Sequence, residues 1–162
     1  MNKKISIFII LLTVTLFLGC TAITKKNINE KNINTMTITE KDEETIREYI
    51  DNKTENDIVV SDEETYSAFK ILGSSDNEIY LWVLKENESG GGGSVPLVLE
   101  IKKENDNLNI LSYKMPGSGD DYGKDIKEMF PKGVQNKIFS KPDAHNEMIN
   151  ELQKELQEIK SK

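Results

Sequence analysis

Ile79-Tyr80-Leu81-Trp82-Val83-Leu84 is an unbroken apolar run held between Glu78 and Lys85. It is too short for a buried helix and rich in aromatic and aliphatic side chains. It therefore reads as a strand covered on both faces, the centre of a sheet. Working outward, Ser67, Phe69 and Ile71 alternate with Ala68, Lys70 and Leu72, so Tyr66 to Leu72 reads as a strand. Gly73-Ser74-Ser75-Asp76-Asn77 supplies the turn between the two. Downstream, Leu97, Leu99 and Ile101 alternate with Val98, Glu100 and Lys102, which predicts one buried face and one partly wet. Pro96 is expected at that strand's start, where a missing donor does least harm. Glu104 to Asn107 forms another turn, Leu108 to Met115 a fourth strand, and Pro116-Gly117 ends it. Short turns joining four strands predict an antiparallel meander. The tract Ser89-Gly90-Gly91-Gly92-Gly93-Ser94 reads as a mobile hairpin loop between the second and third strands.

Helices flank the strands. Thr39 is a candidate N-cap, with Glu40, Asp42, Glu43 and Glu44 placed well against the dipole of a helix from about Glu40 to Asp51. Ile46, Tyr49 and Ile50 give it one apolar stripe that covers a sheet face. Ile58-Val59-Val60 is either a lone strand or a buried loop anchor. After the sheet, Ser118 with Asp121, or Asp120 itself, is positioned to cap a helix from Lys124 to Phe130 carrying Ile126, Met129 and Phe130. Pro131 breaks it and begins a turn through Val134, Ile138 and Phe139. A last helix starts near Pro142 with Ala144, Met148, Ile149, Leu152, Leu156 and Ile159 on its apolar side. The fold class expected is α+β: an N-terminal helix, a four-stranded antiparallel meander and C-terminal helices packed on one face, in the layout of cystatins.

The N-terminus is of another kind. Lys3 and Lys4 precede 14 residues, Ile5 to Leu18, that carry no charge and end on Gly19 before Cys20. As a helix that run reaches roughly 21 Å at 1.5 Å per residue, short of a hydrocarbon core about 30 Å thick. A positive head, a short apolar run and a small residue at the cut mark a secretory signal peptide. Leu16-Phe17-Leu18-Gly19-Cys20 resembles the lipobox of bacterial lipoproteins, although Phe17 and Leu18 depart from its usual residues. The resemblance implies cleavage before Cys20, a lipid on its thiol and attachment to the outer, extracytoplasmic face of the cell membrane. The division expected is 1–19 signal peptide, 20–37 lipidated cysteine and polar tether, and 38–162 one domain.

The chain has 162 residues, one cysteine, one histidine and a formal charge of −7. Lys3 and Lys4 are the only charges in residues 1–19, so the 143 residues that remain after cleavage carry −9. That is one domain's worth of chain. A surface so acidic argues against nucleic acid and against electrostatic binding to anionic lipid. With Cys20 committed to lipid, neither a disulfide nor a cysteine metal site is expected. A single histidine, His145, leaves the common metal and triad chemistries without partners. It reads as a surface residue, and Trp82 reads as core. No cofactor, metal or catalytic group is expected.

The most site-like segment is Gly117-Ser-Gly-Asp-Asp-Tyr-Gly-Lys-Asp-Ile126, where glycines free the backbone around Asp120, Asp121 and Asp125. It lacks the alternation of an EF-hand loop and the Gly-Lys-Ser/Thr of a P-loop. Asp120, Asp121 and Tyr122 are the candidate binding residues, against the plainer reading of a capped helix start. The order IYLWVL, glycine tract, VPLVLEIK and SGDDYGKDIKEMFP resembles a small extracytoplasmic domain over about residues 64–139. That domain occurs in Firmicute lipoproteins and in membrane metallopeptidase sensors similar to beta-lactam receptors. Gly117-Ser118-Gly119 stands where that family commonly has Arg-Asp-Gly. The resemblance implies an accessory or sensory domain without catalysis. The function expected is therefore non-enzymatic binding of an envelope protein or peptide by a lipid-anchored protein. An immunity-type protein that neutralises a cationic peptide or toxin is the alternative, and an acid-dependent hydrolase a remote one.

Overall fold

The computed structural model describes residues 36–161. The expected signal peptide, Cys20 and the expected tether up to residue 35 lie outside the described residues. The order is α1 (Glu40–Lys53), a single turn α2 (Glu55–Ile58), β1 (Thr65–Ser74), β2 (Glu78–Asn87), β3 (Gly92–Glu104) and β4 (Asn107–Lys114). A 3-10 turn (Gly119–Asp121) leads to α3 (Tyr122–Met129), α4 (Lys132–Ile138) and α5 (Pro142–Lys160). The strands form one antiparallel sheet in the order β1-β2-β3-β4. The α+β meander is the fold that the alternation of the strands requires.

Thr39 caps α1 as its sequence predicts. Its hydroxyl accepts from the Asp42 amide at 3.2 Å while Asp42 Oδ2 accepts from the Thr39 amide at 2.9 Å. The reciprocal pair satisfies two donors that the first turn would otherwise leave bare. Ile46 and Ile50 then press on Phe69, Ile79, Leu81, Val83, Leu97 and Leu99. On the opposite face Ile126, Phe130, Val134, Ile138, Met148, Leu152 and Leu156 of α3, α4 and α5 pack on Ala68, Leu72, Tyr80, Trp82, Leu84 and Val98. Each face of β2 thus meets its own helix layer, which is why Ile79 to Leu84 is apolar without alternation.

Met36 and Ile38 pack on the α1 side, and the Met36 amide donates to Ser74 Oγ at 3.0 Å. Several expectations are corrected. Pro96 lies inside β3, opposite Trp82. β4 stops at Lys114, opposite Val98, so at Pro96 β3 has no neighbour on that side and the missing donor breaks no β3–β4 bond. The glycine tract is only half loop, because Gly92 and Gly93 pair with Glu86 and Lys85. A Cβ at Gly92 would lie 2.6 Å from the Lys85 carbonyl oxygen, and one at Gly93 3.0 Å from that of Ile58. Close backbone approach, not looseness, is what these two glycines serve. Ile58-Val59-Val60 is no strand: Ile58 closes α2, Val59 is buried and Val60 exposed. Neither Ser118 nor Asp121 caps a helix with its side chain. Ala144 faces solvent.

Candidate functional site

The structure places the turn singled out in the sequence at the surface. Asp120 and Asp121 are exposed in the 3-10 turn. Asp125 instead accepts the Gly117 amide at 2.8 Å, fastening the end of β4 to α3. Tyr122 leans on the core beneath α3 and α5, and burial raises its phenol above the ordinary value. Among the described residues no group of three histidine, cysteine or acidic side chains is placed to hold a metal ion. His145 is no plain surface residue: its ring meets Trp82 edge-on, centroids 4.9 Å apart at 82°.

Two polar arrangements that the sequence reading passed over are built around α1. The first is a buried seam. Lys85 is fully buried and donates to the Ile50 carbonyl at 3.2 Å, the Asp51 carbonyl at 3.1 Å and Thr54 Oγ1 at 3.2 Å. The Ile50 carbonyl also accepts the Thr54 amide and hydroxyl at 3.2 and 2.6 Å, and these last carbonyls carry the negative dipole end of α1, so an ammonium from β2 meets them with matching charge. Beside it Ser67 Oγ donates to Asp51 Oδ1 at 2.6 Å. Burial raises the Asp51 carboxyl, and the Ser67 bond with the charges of Lys85 and Arg47 opposes that rise. A signal for Lys85 was present: Ile79, Leu81, Val83 and Lys85 share a face by period two.

The second arrangement is at the rim. Past the end of α1, Asp51, Asn52, Ser61, Asp62, Glu63, Glu64, Thr65 and Tyr66 line a cleft of about 450 Å³. Within its wall the Glu63 amide donates to Ser61 Oγ at 3.0 Å, and the Glu63 carboxylate accepts the amide and hydroxyl of Ser89 at 3.0 and 2.6 Å, which lowers the Glu63 pKa. On the other side of Asn52 a groove of about 350 Å³ runs between α1 and β4. Thr45, Glu48, Tyr49, Asn52 and Lys53 form its helix wall; Leu108, Asn109 and Ile110 form its strand wall. Tyr49 meets Tyr113 edge-on, centroids 6.3 Å apart. The Tyr113 hydroxyl bonds Asp57, which, with burial, pushes its phenol up to about 12.

The strand wall is also a sheet edge. Asn105 and Asp106, both at positive φ (50° and 61°), make the two-residue turn between β3 and β4. Such a turn closes on a hydrogen-bonded pair, Glu104 with Asn107, and the alternation of antiparallel ladders makes Lys102 with Asn109 the next. The amides and carbonyls of Leu108 and Ile110 therefore point away from β3. Among the described residues none of the backbone groups of Leu108 to Lys114 is bonded outside the sheet.

No family model, no curated protein and no solved structure matches this chain.

Proposed function

We infer that this chain is a lipid-anchored lipoprotein of the extracytoplasmic face, with a non-enzymatic binding or accessory role at the cell envelope. Lys3 to Cys20 supports the anchor and the polar stretch from Thr21 supports a tether. The observation that carries a binding role is the free edge of β4 beside its groove. An open ladder next to a concave wall is a recurring way for a sheet to receive another polypeptide, the ladder giving affinity and the pocket specificity. In this reading the lipid on Cys20 holds the domain at the membrane and the folded part recognises a partner there. One acyl chain anchors marginally and two hold firmly.

The test is metabolic labelling with a clickable fatty acid, followed by crosslinking in intact cells, for wild type and Cys20→Ala. Wild type should carry label and sediment with membranes, and Cys20→Ala should do neither. Label retained by Cys20→Ala would refute the anchor. A domain that crosslinks to no envelope protein or peptide would refute the binding role.

The acidic cleft favours the second reading, neutralisation of a cationic peptide or toxin near the membrane. Asp51, Asp62, Glu63 and Glu64 line it without a basic residue among its walls. Such recognition weakens as salt rises, whereas apolar capture does not.

A further inference from the structure

We propose that β4 binds an extended, basic peptide segment as a fifth strand, its side chains alternating between the α1 groove and solvent. The inference rests on the binding role above and names its site and the chemistry of its partner. Three observations converge on it.

The first is the ladder itself. Leu108 and Ile110 turn their amide and carbonyl groups outward, where a strand added antiparallel or parallel would meet them. The opposite edge of the sheet is closed: Arg47 Nη1 donates to the Ser67 carbonyl at 2.6 Å, and Lys137 Nζ to the Leu72 carbonyl at 2.6 Å. Exposed edges are normally blunted in this way because they recruit other chains. Leaving one edge bare while the other is covered marks the bare one as the side that pairs.

The second is the groove. Side chains of an added strand project alternately above and below the sheet. Those on the α1 side enter a concavity floored by Leu108 and Ile110 and walled by Tyr49, which suits an apolar side chain. Leu111, displaced outward at the register shift opposite Glu100 and Ile101, is 63% exposed and offers apolar contact to the other side.

The third is charge. The lysines around β4 are already engaged: Lys41 with Asn107, Lys102 with Glu104, Lys103 with Asp42, Lys114 with Glu100. Glu48 stands exposed on the groove wall, and Lys53 is the cation among the groove's lining residues. Asn52 borders both the groove and the cleft, so a strand leaving β4 past Asn52 meets Asp51, Asp62, Glu63 and Glu64. A peptide with lysine or arginine at its leading end matches that track, and an acidic one is repelled by it.

The probe is a fluorescent peptide alternating lysine and valine, titrated against the full-length protein in phosphatidylcholine nanodiscs. Its controls are the same peptide N-methylated at every backbone amide, which has no N–H left to ladder with on either edge, and a glutamate-for-lysine version. Binding should be saturable and should fall at least tenfold on N-methylation, since about 1.4 kcal/mol of lost hydrogen bonding suffices for that. The Glu48→Lys variant should weaken it about fivefold at low salt, with the gap narrowing in high salt. Bound peptide should slow amide exchange at Leu108 and Ile110 and leave Ser67 and Leu72 unchanged.

Equal affinity for the N-methylated or the glutamate peptide overturns the proposal, as does exchange protection elsewhere than β4. Sedimentation showing a dimer that the Ile110→Pro variant abolishes would assign the edge to a second copy of this chain instead. Protection of Leu108 and Ile110 without peptide, lost on deleting residues 21–35, would assign it to the tether. A protein that carries lipid on Cys20 but ignores the lysine peptide keeps the anchor and loses this inference. One that binds the peptide without lipid does the reverse.

Discussion

The two edges of the sheet are treated in opposite ways. β1 is hemmed in by α1, α4 and α5: Arg47 bridges the Ser67 carbonyl and Glu155, Lys137 reaches the Leu72 carbonyl, and Lys70 pairs with Glu151. β4 has the flank of α1 on one side only, and its outward backbone meets no neighbour among the described residues. The difference follows from chain order. The three helices after β4 cross back over the opposite face, α5 packing chiefly on β1, and so close the first edge. Nothing described is left to close the last one. The lesson is that a meander's final strand is exposed by topology unless the chain returns to it.

That contrast can be broken most severely from the protected side. Leu152→Ala removes a buried side chain between α5 and the sheet. It should lower unfolding stability by about 3 kcal/mol in denaturant titration, with faster exchange along β1 and little change in β4. Next, Arg47→Ala strips the Ser67 carbonyl and leaves Glu155 without its ion pair at 2.7 Å. A loss of about 1.5 kcal/mol is expected, and a new self-association through β1 would show as concentration-dependent sedimentation.

A smaller and pH-dependent effect lies on the β4 side, where Asp42 ties α1 to Lys103 at 2.9 Å. Burial acts to raise this carboxyl, but the Lys103 bond, the Thr39 amide and hydroxyl and the Lys103 charge together hold it below 3.8. A depressed folded-state pKa contributes stability above the unfolded value and loses it as pH falls through the folded one. Asp42→Asn weakens the charge-assisted bonds from Lys103 and Thr39 and should therefore cost about 1 kcal/mol at pH 7, with the gap to wild type closing below pH 4. The smallest effect is at the free edge. Leu111→Ser should move stability by no more than about 0.5 kcal/mol, since Leu111 is already mostly in solvent. A larger loss in thermal unfolding would mean that the edge is covered after all.

How much of this was legible in the residues differs element by element. Ile79 to Leu84 announces a strand with two covered faces because both helix layers leave their mark on one short run. Thr39 and Asp42 announce their cap because the motif is local. The free edge leaves no such mark: Leu108, Ile110 and Tyr113 would read the same whether or not a fifth strand followed. Gly90 to Gly93 misleads, since composition speaks of freedom while Gly92 and Gly93 answer to backbone packed against them. Lys85 was hidden by its charge, which argues for solvent until the carbonyls of Ile50 and Asp51 are in place. Asp120 and Asp121 attract notice for their density, and both stand exposed in the 3-10 turn.

The contact between Trp82 and His145 has an experimental consequence. These are the chain's single tryptophan and single histidine. The indole is 5% exposed on β2, its N–H has no partner among the described residues, and the imidazole that covers it belongs to α5. The molecule thus carries its own optical gauge of whether its last helix is seated. Emission from a shielded indole should shift to the red once α5 lifts and water arrives, and in stopped flow that shift would time the undocking of one helix without any label.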